Sequence, residues 1–520
     1  MNNQQFYPLE NVTEFIKNIN VKYKLAFLSC FIFSIFSQSF GLFNKLSFHD
    51  DIVSLFDVGA TYTSGRWGLE ILKQIIIFIF GGTNYSLPVF NGFISIIFLA
   101  LTSCIIIDLI NIKNQIINIF ISGILVCFPV ITSFFGYMYT LPFYTLSILI
   151  STLGVYLICK KSKTHMYLLG TLLITFSISI YQAFLPFTLS LYVLYLINSI
   201  TNENISNNCI FKNMLLIFIS VVSSVILYLA VTKLYLIYYK AELSTYREIN
   251  TLGITSFSGY LNRIIFAYKE FFLPTSSAQY YMYPLTTIYI YYICIVLSII
   301  MMCCWLIKLY KQSKTRATLL AISFISIPFT TNFIFIISPT HFVHSLMVYS
   351  QLVPFIFFAW LLENTNISYK KFEKNVKSII YTILILLNVM YIRYDNVCYL
   401  KAIFSQQQLI SYYTTLITQI KSIDNYADNL PIVFVNEQRM RDITLQAIPE
   451  LNHIKGFPYK SINFLVNSYT SEDFMRRWLA FSPKIVKNSA IKNSKQVKDM
   501  PSYPDKGSIQ VLHNHIVVKF

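Results

Sequence analysis

The chain has 520 residues, 55% of them hydrophobic and only 12% charged. Soluble domains carry roughly 25% charge, so a chain this long and this apolar falls outside the soluble class and reads as a polytopic membrane protein. A formal net charge of +17 would suggest nucleic acid in a soluble protein; here it fits lysines held in cytoplasmic loops against anionic lipid, and no arginine-rich helix or aromatic–basic array points to a nucleic-acid partner.

Taken in chain order, apolar runs of the length a spanning helix needs fall near 23–43, 86–109, 116–135, 139–159, 166–183, 184–200, 213–239, 285–307, 317–338, 346–362 and 378–393. That predicts an all-α transmembrane domain over 1–393 with about eleven spans. The first run lacks a small-residue cleavage site and is expected to serve as a signal anchor. Ile71–Phe80 is too short to cross and is expected to lie along the interface. The nine cysteines show no CxxC pair and sit mostly in or beside apolar runs, as small core residues do.

Loop charge sets the expected orientation. Lys160, Lys161 and Lys163 follow the fourth span, Lys308, Lys311, Lys314 and Arg316 the eighth, and Lys370, Lys371, Lys374 and Lys377 precede the last. An odd number of spans puts these loops and the N-terminus on one side, the cytoplasm. The loops 44–85 and 240–284 and the segment 394–520 then share the other side. That last segment is polar and proline-marked. Within it, 431–437 reads as a buried strand, 471–481 as a helix capped by Ser471, and the closing GSIQVLHNHIVVKF as a hairpin. The segment is expected to be a small extracytoplasmic α/β domain.

The chemistry-bearing residues concentrate in the first outer loop. His49, Asp50 and Asp51 follow the first span closely, and a carboxylate at a membrane edge can act as a general base on a lipid-borne substrate. On a helix the two aspartates diverge by about 100°, so one can face a cavity while the other caps the helix or binds a hydroxyl. Solvated loop acids are the bland alternative. Ser64-Gly65-Arg66-Trp67 comes next: the planar fork of Arg66 suits phosphate, and the Trp67 face suits a sugar ring, or the pair forms an interfacial anchor. Arg247, Arg263, Lys269 and Arg393 lie on the same outer side, with Arg263 and Arg393 nearest the expected membrane plane and so best placed for a lipid phosphate. Tyr181 and Gln182 close a span there and can bind a sugar or pack a helix end. His341 and His344 are suited to lining a polar cavity, with no third metal ligand indicated. The lysines at 484, 487, 492, 495 and 498 read as a solvated surface, or as a contact for anionic glycan or headgroups.

The order H-D-D then S-G-R-W in the first outer loop resembles the Gtr type II family of serotype-converting O-antigen glucosyltransferases. Tyr181-Gln182-Ala183, Arg393-Tyr394-Asp395 and M-P-S-Y-P-D-K-G-S-I at 500–509 look similar as well. The resemblance implies a type C glycosyltransferase fold in the bacterial cytoplasmic (inner) membrane. It also implies a polyprenyl-phosphate sugar donor, usually glucose, and a lipopolysaccharide or related surface polysaccharide as acceptor. Transfer would invert the anomeric carbon, with Asp50 or Asp51 as base and Arg66 on phosphate or sugar. No cofactor is implied with certainty, and a divalent cation is left open. Two other readings compete. An O-antigen polymerase or ligase would use arginines of a later outer loop, which 240–284 supplies. A glycolipid flippase would show charges or Gly/Pro breaks inside its spans, of which Pro142, Pro186, Pro328 and Pro354 are the few candidates.

Overall fold

The computed structural model describes Glu14 and residues 17–161, 163–275, 282–284, 286–338, 343–365, 370–437, 448–451, 454 and 470–520, the side chains of 247 and 370–374 excepted. It is mostly helical, with one small sheet. Among the described residues, eight helices are long and apolar enough to cross a membrane: Val21–Phe43, Pro88–Leu109, Gln115–Phe135, Leu141–Lys160, Gln182–Thr201, Asn207–Tyr238, Thr287–Gln312 and Asn375–Lys421. The other three expected spans are shorter or broken. Thr164–Ile180 has 17 residues. The run at 317–338 is helical over Lys314–Thr331, breaks at Asn332 and resumes as Phe333–Ile337. The run at 346–362 starts as two 3-10 turns and becomes an α-helix only at Val353–Asn364.

Local chemistry sets where the helices start. Asn20, Asn114, Ser206 and Ser313 each accept a hydrogen bond from a first-turn amide, the usual N-cap arrangement. Pro88, Pro129, Pro142, Pro186 and Pro354 fall in first turns, where a missing N–H leaves no gap in the ladder. Pro142, Pro186 and Pro354 therefore begin helices rather than break them. Pro328 is internal to its helix, four residues before the break at Asn332.

Polar contacts gather helix ends into two sets. At one end of the bundle Asp108 accepts from Lys22 Nζ (2.5 Å), Tyr23 Oη (2.6 Å) and Tyr156 Oη (2.9 Å). At this end too, Glu363 accepts from the Lys113 amide (2.6 Å), and Arg316 donates to Asn207 Oδ1 (2.9 Å) and to the Asn202 carbonyl (3.1 Å). These are the ends that the charge pattern assigns to one side. The loops 44–87 and 136–140 and the turn at Gln182–Phe184 lie at the other end.

The last helix does not stop at 393. It runs unbroken over Lys370–Lys421, 52 residues and roughly 78 Å long, against about 30 Å of bilayer hydrocarbon. Arg393, expected just past a span, is instead mid-helix and exposed. The projecting part of the helix carries the C-terminal elements, with Tyr413 against Phe474 (5.5 Å between ring centroids) and Tyr412 against Tyr503 (5.8 Å). Strand β1 (Ile432–Val435) pairs in parallel with β3 (His515–Lys519), which pairs antiparallel with β2 (Ile509–Leu512), giving the order β1-β3-β2. The β2–β3 turn uses His513 and Asn514 at φ +48° and +57°, a two-residue primed turn that matches strand twist. Alternation divides the sheet: Val433, Val435 and Val517 pack with Ile491, Val497 and Met500, while Ile432, Phe434, Ile516 and Val518 join the main core. The helix expected from Ser471 spans Ser471–Leu479, with Thr470 as the flanking residue.

Asp108→Asn would replace the charged acceptor shared by three helices with a neutral amide. The expected result is a lower aggregation temperature of the detergent-solubilised protein, with its activity at permissive temperature retained.

Candidate active site

The loop after the first span folds into two compact pieces. Asp50–Val53 is a single helical turn, entered through His49 at φ +43°, a left-handed conformation that costs a non-glycine residue about 1–3 kcal/mol and holds only where packing enforces it. The helix is only this one turn, yet the two aspartates do diverge. Asp51 is fully buried, and its oxygens are occupied. Oδ2 accepts from Lys45 Nζ (2.7 Å) and Ser47 Oγ (2.6 Å); Oδ1 accepts from Ser86 Oγ (2.5 Å) and the Tyr139 amide (3.2 Å). Asp50 is 42% exposed, and His49 Nδ1 lies 2.6 Å from its Oδ1. Only Asp50 has a free face to offer a substrate.

The second piece is the turn before the helix Trp67–Phe80. Thr61 accepts from the Ser64 and Arg66 amides (3.0 and 2.9 Å), and Gly65 adopts φ +69°. A Cβ on Gly65 would lie 2.5 Å from Tyr228 Oη and 3.0 Å from Gln182 Nε2, so close approach and backbone sign both require glycine there. Gln182 Nε2 donates to the Ser64 carbonyl (2.8 Å) and to Tyr228 Oη (2.9 Å). Both its amide hydrogens are thus committed to holding the turn, as the helix-end packing alternative expects.

Arg66 emerges from this turn half-buried, its Cζ 4.8 Å from the Tyr181 ring centroid. Tyr181 stacks in turn on Tyr144 (4.6 Å). Among the described residues no carboxylate pairs with Arg66, and its buried Nε has no hydrogen-bond partner. A guanidinium stays charged at any working pH, so Arg66 holds a cation in an aromatic cradle with no carboxylate counter-ion among the described residues. The positive end of the Trp67–Phe80 helix dipole lies beside it.

Tyr137 and Tyr139 connect the two pieces. Both are buried, and burial first, then the charge of Asp50, holds their phenols well above the ordinary range, so they remain neutral O–H groups. Tyr139 is within electrostatic reach of Asp50, Asp51 and Arg66 together. Asp50 and Arg66 therefore both act on one buried tyrosine. Tyr137, Tyr139, Tyr144 and Tyr228 were not singled out from the sequence; the G-Y-M-Y-T connection before Pro142, on the same outer side, was the available signal.

The remaining candidates lie elsewhere. Trp67 is buried with its ring between Tyr235 (6.1 Å) and Phe176 (6.0 Å), so it packs the helix rather than presenting a face to a sugar. Arg263 is buried on Phe257–Phe272 and donates to the Ile336 carbonyl (3.3 Å). Arg393 is exposed on the long helix. His344 is half-buried; His341 and the Arg247 side chain lie outside the described residues.

With this geometry in hand, the chain was compared with known proteins. A family model described as "Glucosyl transferase GtrII" matches residues 39–355, more than half of the chain. The match contains Asp50, Asp51, Arg66, Tyr181 and Gln182 and ends before Arg393. No curated protein and no solved structure matches the chain significantly.

Two substitutions test the division of labour. Asp51→Asn breaks a buried ion pair, a change that costs on the order of 3–5 kcal/mol, and is expected to lower the yield and melting temperature of purified protein, whereas Asp50→Asn leaves both unchanged. Gly65→Ala is expected to destabilise by about 1–3 kcal/mol, read as a fall in melting temperature.

Proposed function

The chain belongs to the glucosyl transferase GtrII family, and from that premise we propose that it moves a hexose, glucose first among candidates, from a polyprenyl-phosphate carrier to lipopolysaccharide O-antigen or a related surface glycan. The reaction takes place outside the bacterial inner membrane, with the N-terminus cytoplasmic and a type C glycosyltransferase architecture. The observation that carries this reading is that a partly exposed carboxylate, Asp50, and an arginine with no carboxylate partner among the described residues, Arg66, both lie within electrostatic reach of the buried Tyr139.

The roles follow from that placement. Asp50 takes the proton of the acceptor hydroxyl as its oxygen attacks the anomeric carbon, and His49 orients the carboxylate through their 2.6 Å contact. The bond from that carbon to the phosphate oxygen breaks, and the electron pair leaves with the lipid phosphate. Arg66, with neutral Tyr137 and Tyr139 as nearby O–H groups, balances the charge that gathers on the leaving group. Retention would need a second free carboxylate as nucleophile. The oxygens of Asp51 are committed to Lys45, Ser47, Ser86 and the Tyr139 amide, which supports a single inverting displacement. The family match favours transfer over the polymerase, ligase and flippase readings, and the prolines that start helices remove most of the sequence support for a flippase.

The test is a transfer assay in membranes with polyprenyl-phosphate glucose and the host polysaccharide. Asp50→Asn is expected to lower kcat by at least about 10³-fold, in the range that loss of a catalytic base produces, with donor binding retained. Arg66→Ala is expected to weaken donor binding and kcat together, and Arg66→Lys to recover part of each. Full transfer by Asp50→Asn at matched expression would refute the assignment.

A further inference from the structure

Among the described residues, Asp50–Val53 is one turn long, too short to satisfy its own C-terminal carbonyls. Two of them are satisfied from far along the chain. Arg477 Nη1 donates to the Ile52 carbonyl and to the Val53 carbonyl (3.1 Å), and its Cζ lies 5.3 Å from the Phe56 ring centroid. The guanidinium thus sits where the negative end of the short helix needs a cation. Its other arm is fixed as well: Nη2 lies 3.3 Å from Asp473 Oδ1, one turn back on Ser471–Leu479. That helix is held in place by Phe474, whose ring stacks on Trp478 (5.4 Å) and meets Tyr413 of the long helix (5.5 Å). Arg476, also paired with Asp473, is half exposed and its pairing stays within its own helix.

We propose that Arg477 is a positioning residue for transfer: the C-terminal region, standing on the long helix, clamps the turn that carries Asp50. This rests on the reading of Asp50 as the base. Asp51 fixes one side of the turn from within the membrane domain, and Arg477 fixes its C-terminal end from outside it. Asp50 opens the turn that both anchors hold. Residues 471–479 lie beyond the family match at 39–355, so the clamp joins the shared catalytic loop to a part of the chain that the match does not cover.

The experiment uses the full chain in lipid nanodiscs, with polyprenyl-phosphate glucose as donor and the host polysaccharide as acceptor. A misplacement of about 1 Å can cost about 10²-fold in rate. Arg477→Ala is therefore expected to lower kcat by about that factor, with KM for the donor within about twofold, because the cradle of Arg66 is untouched. Arg477→Lys, keeping one cationic donor, should restore most of the loss, and Arg476→Ala should match the wild type. Hydrogen exchange gives a readout that needs no turnover. The amides of Asp51, Ile52 and Ser54, bonded within and just before the turn, should exchange faster in Arg477→Ala while those of the spans do not. If Arg477→Ala does not accumulate, Arg477→Gln is read in its place. Unchanged exchange in those amides, or wild-type kcat, would overturn the clamp. Asp50→Asn run in parallel separates the two ideas: full transfer by that variant sinks the base, whereas the exchange result judges the clamp.

Discussion

A carboxylate buried inside a membrane protein costs several kcal/mol unless donors surround it. Asp51 is such a group, and its partners show what it organises. Lys45 and Ser47 come from the loop leaving the first span, Ser86 from the segment entering the next, and the Tyr139 amide from the connection between two later helices. One side chain thereby ties three separate segments at one end of the bundle. Because Asp50 is its neighbour on a single helical turn, the direction in which Asp50 points follows from that tie. The same contact network keeps Tyr139 within electrostatic reach of both Asp50 and Arg66.

The arginine is held by a different logic. Its turn depends on a glycine in a left-handed conformation and on Gln182 reaching across to the Ser64 carbonyl. What remains for Arg66, among the described residues, is an aromatic surface and no carboxylate. A cation left in that state is suited to bind a charge that arrives with a ligand and grows as the leaving group departs. The two turns thus differ: one carries an acid, Asp50, whose neighbour Asp51 is saturated with donors, and the other carries a guanidinium whose Nε is not. The chain belongs to a family of glucosyl transferases, and under the proposed function that arrangement would serve to displace a phosphate from a sugar.

Much of this was legible in the sequence because it depends on local pattern. Apolar runs marked most helices, alternation marked the terminal hairpin, and His-Asp-Asp followed by Ser-Gly-Arg-Trp marked the loop. The divergence of Asp50 and Asp51 follows from helical geometry alone. Which one is buried does not, since that depends on Ser86 and Tyr139, distant in sequence and brought close only by packing. Gln182 and Trp67 were read by their side-chain chemistry, whereas their neighbours committed them to the turn and to an aromatic stack. The length of the last helix was missed because polar residues after 393 look like the end of a span. Outside the bilayer they need no apolar surroundings, and the helix continues. Arg477 carried no motif at all: its role exists only because that projecting helix brings Ser471–Leu479 down onto the first loop.

The most direct measurement of the central claim is a cryo-EM structure of the Asp50→Asn protein in nanodiscs with polyprenyl-phosphate glucose bound. The account predicts the phosphate within hydrogen-bond distance of Arg66, and the anomeric carbon turned toward position 50, with space for an acceptor hydroxyl between them. Phosphate density at Arg263 or Arg393, with the sugar away from residue 50, would contradict it.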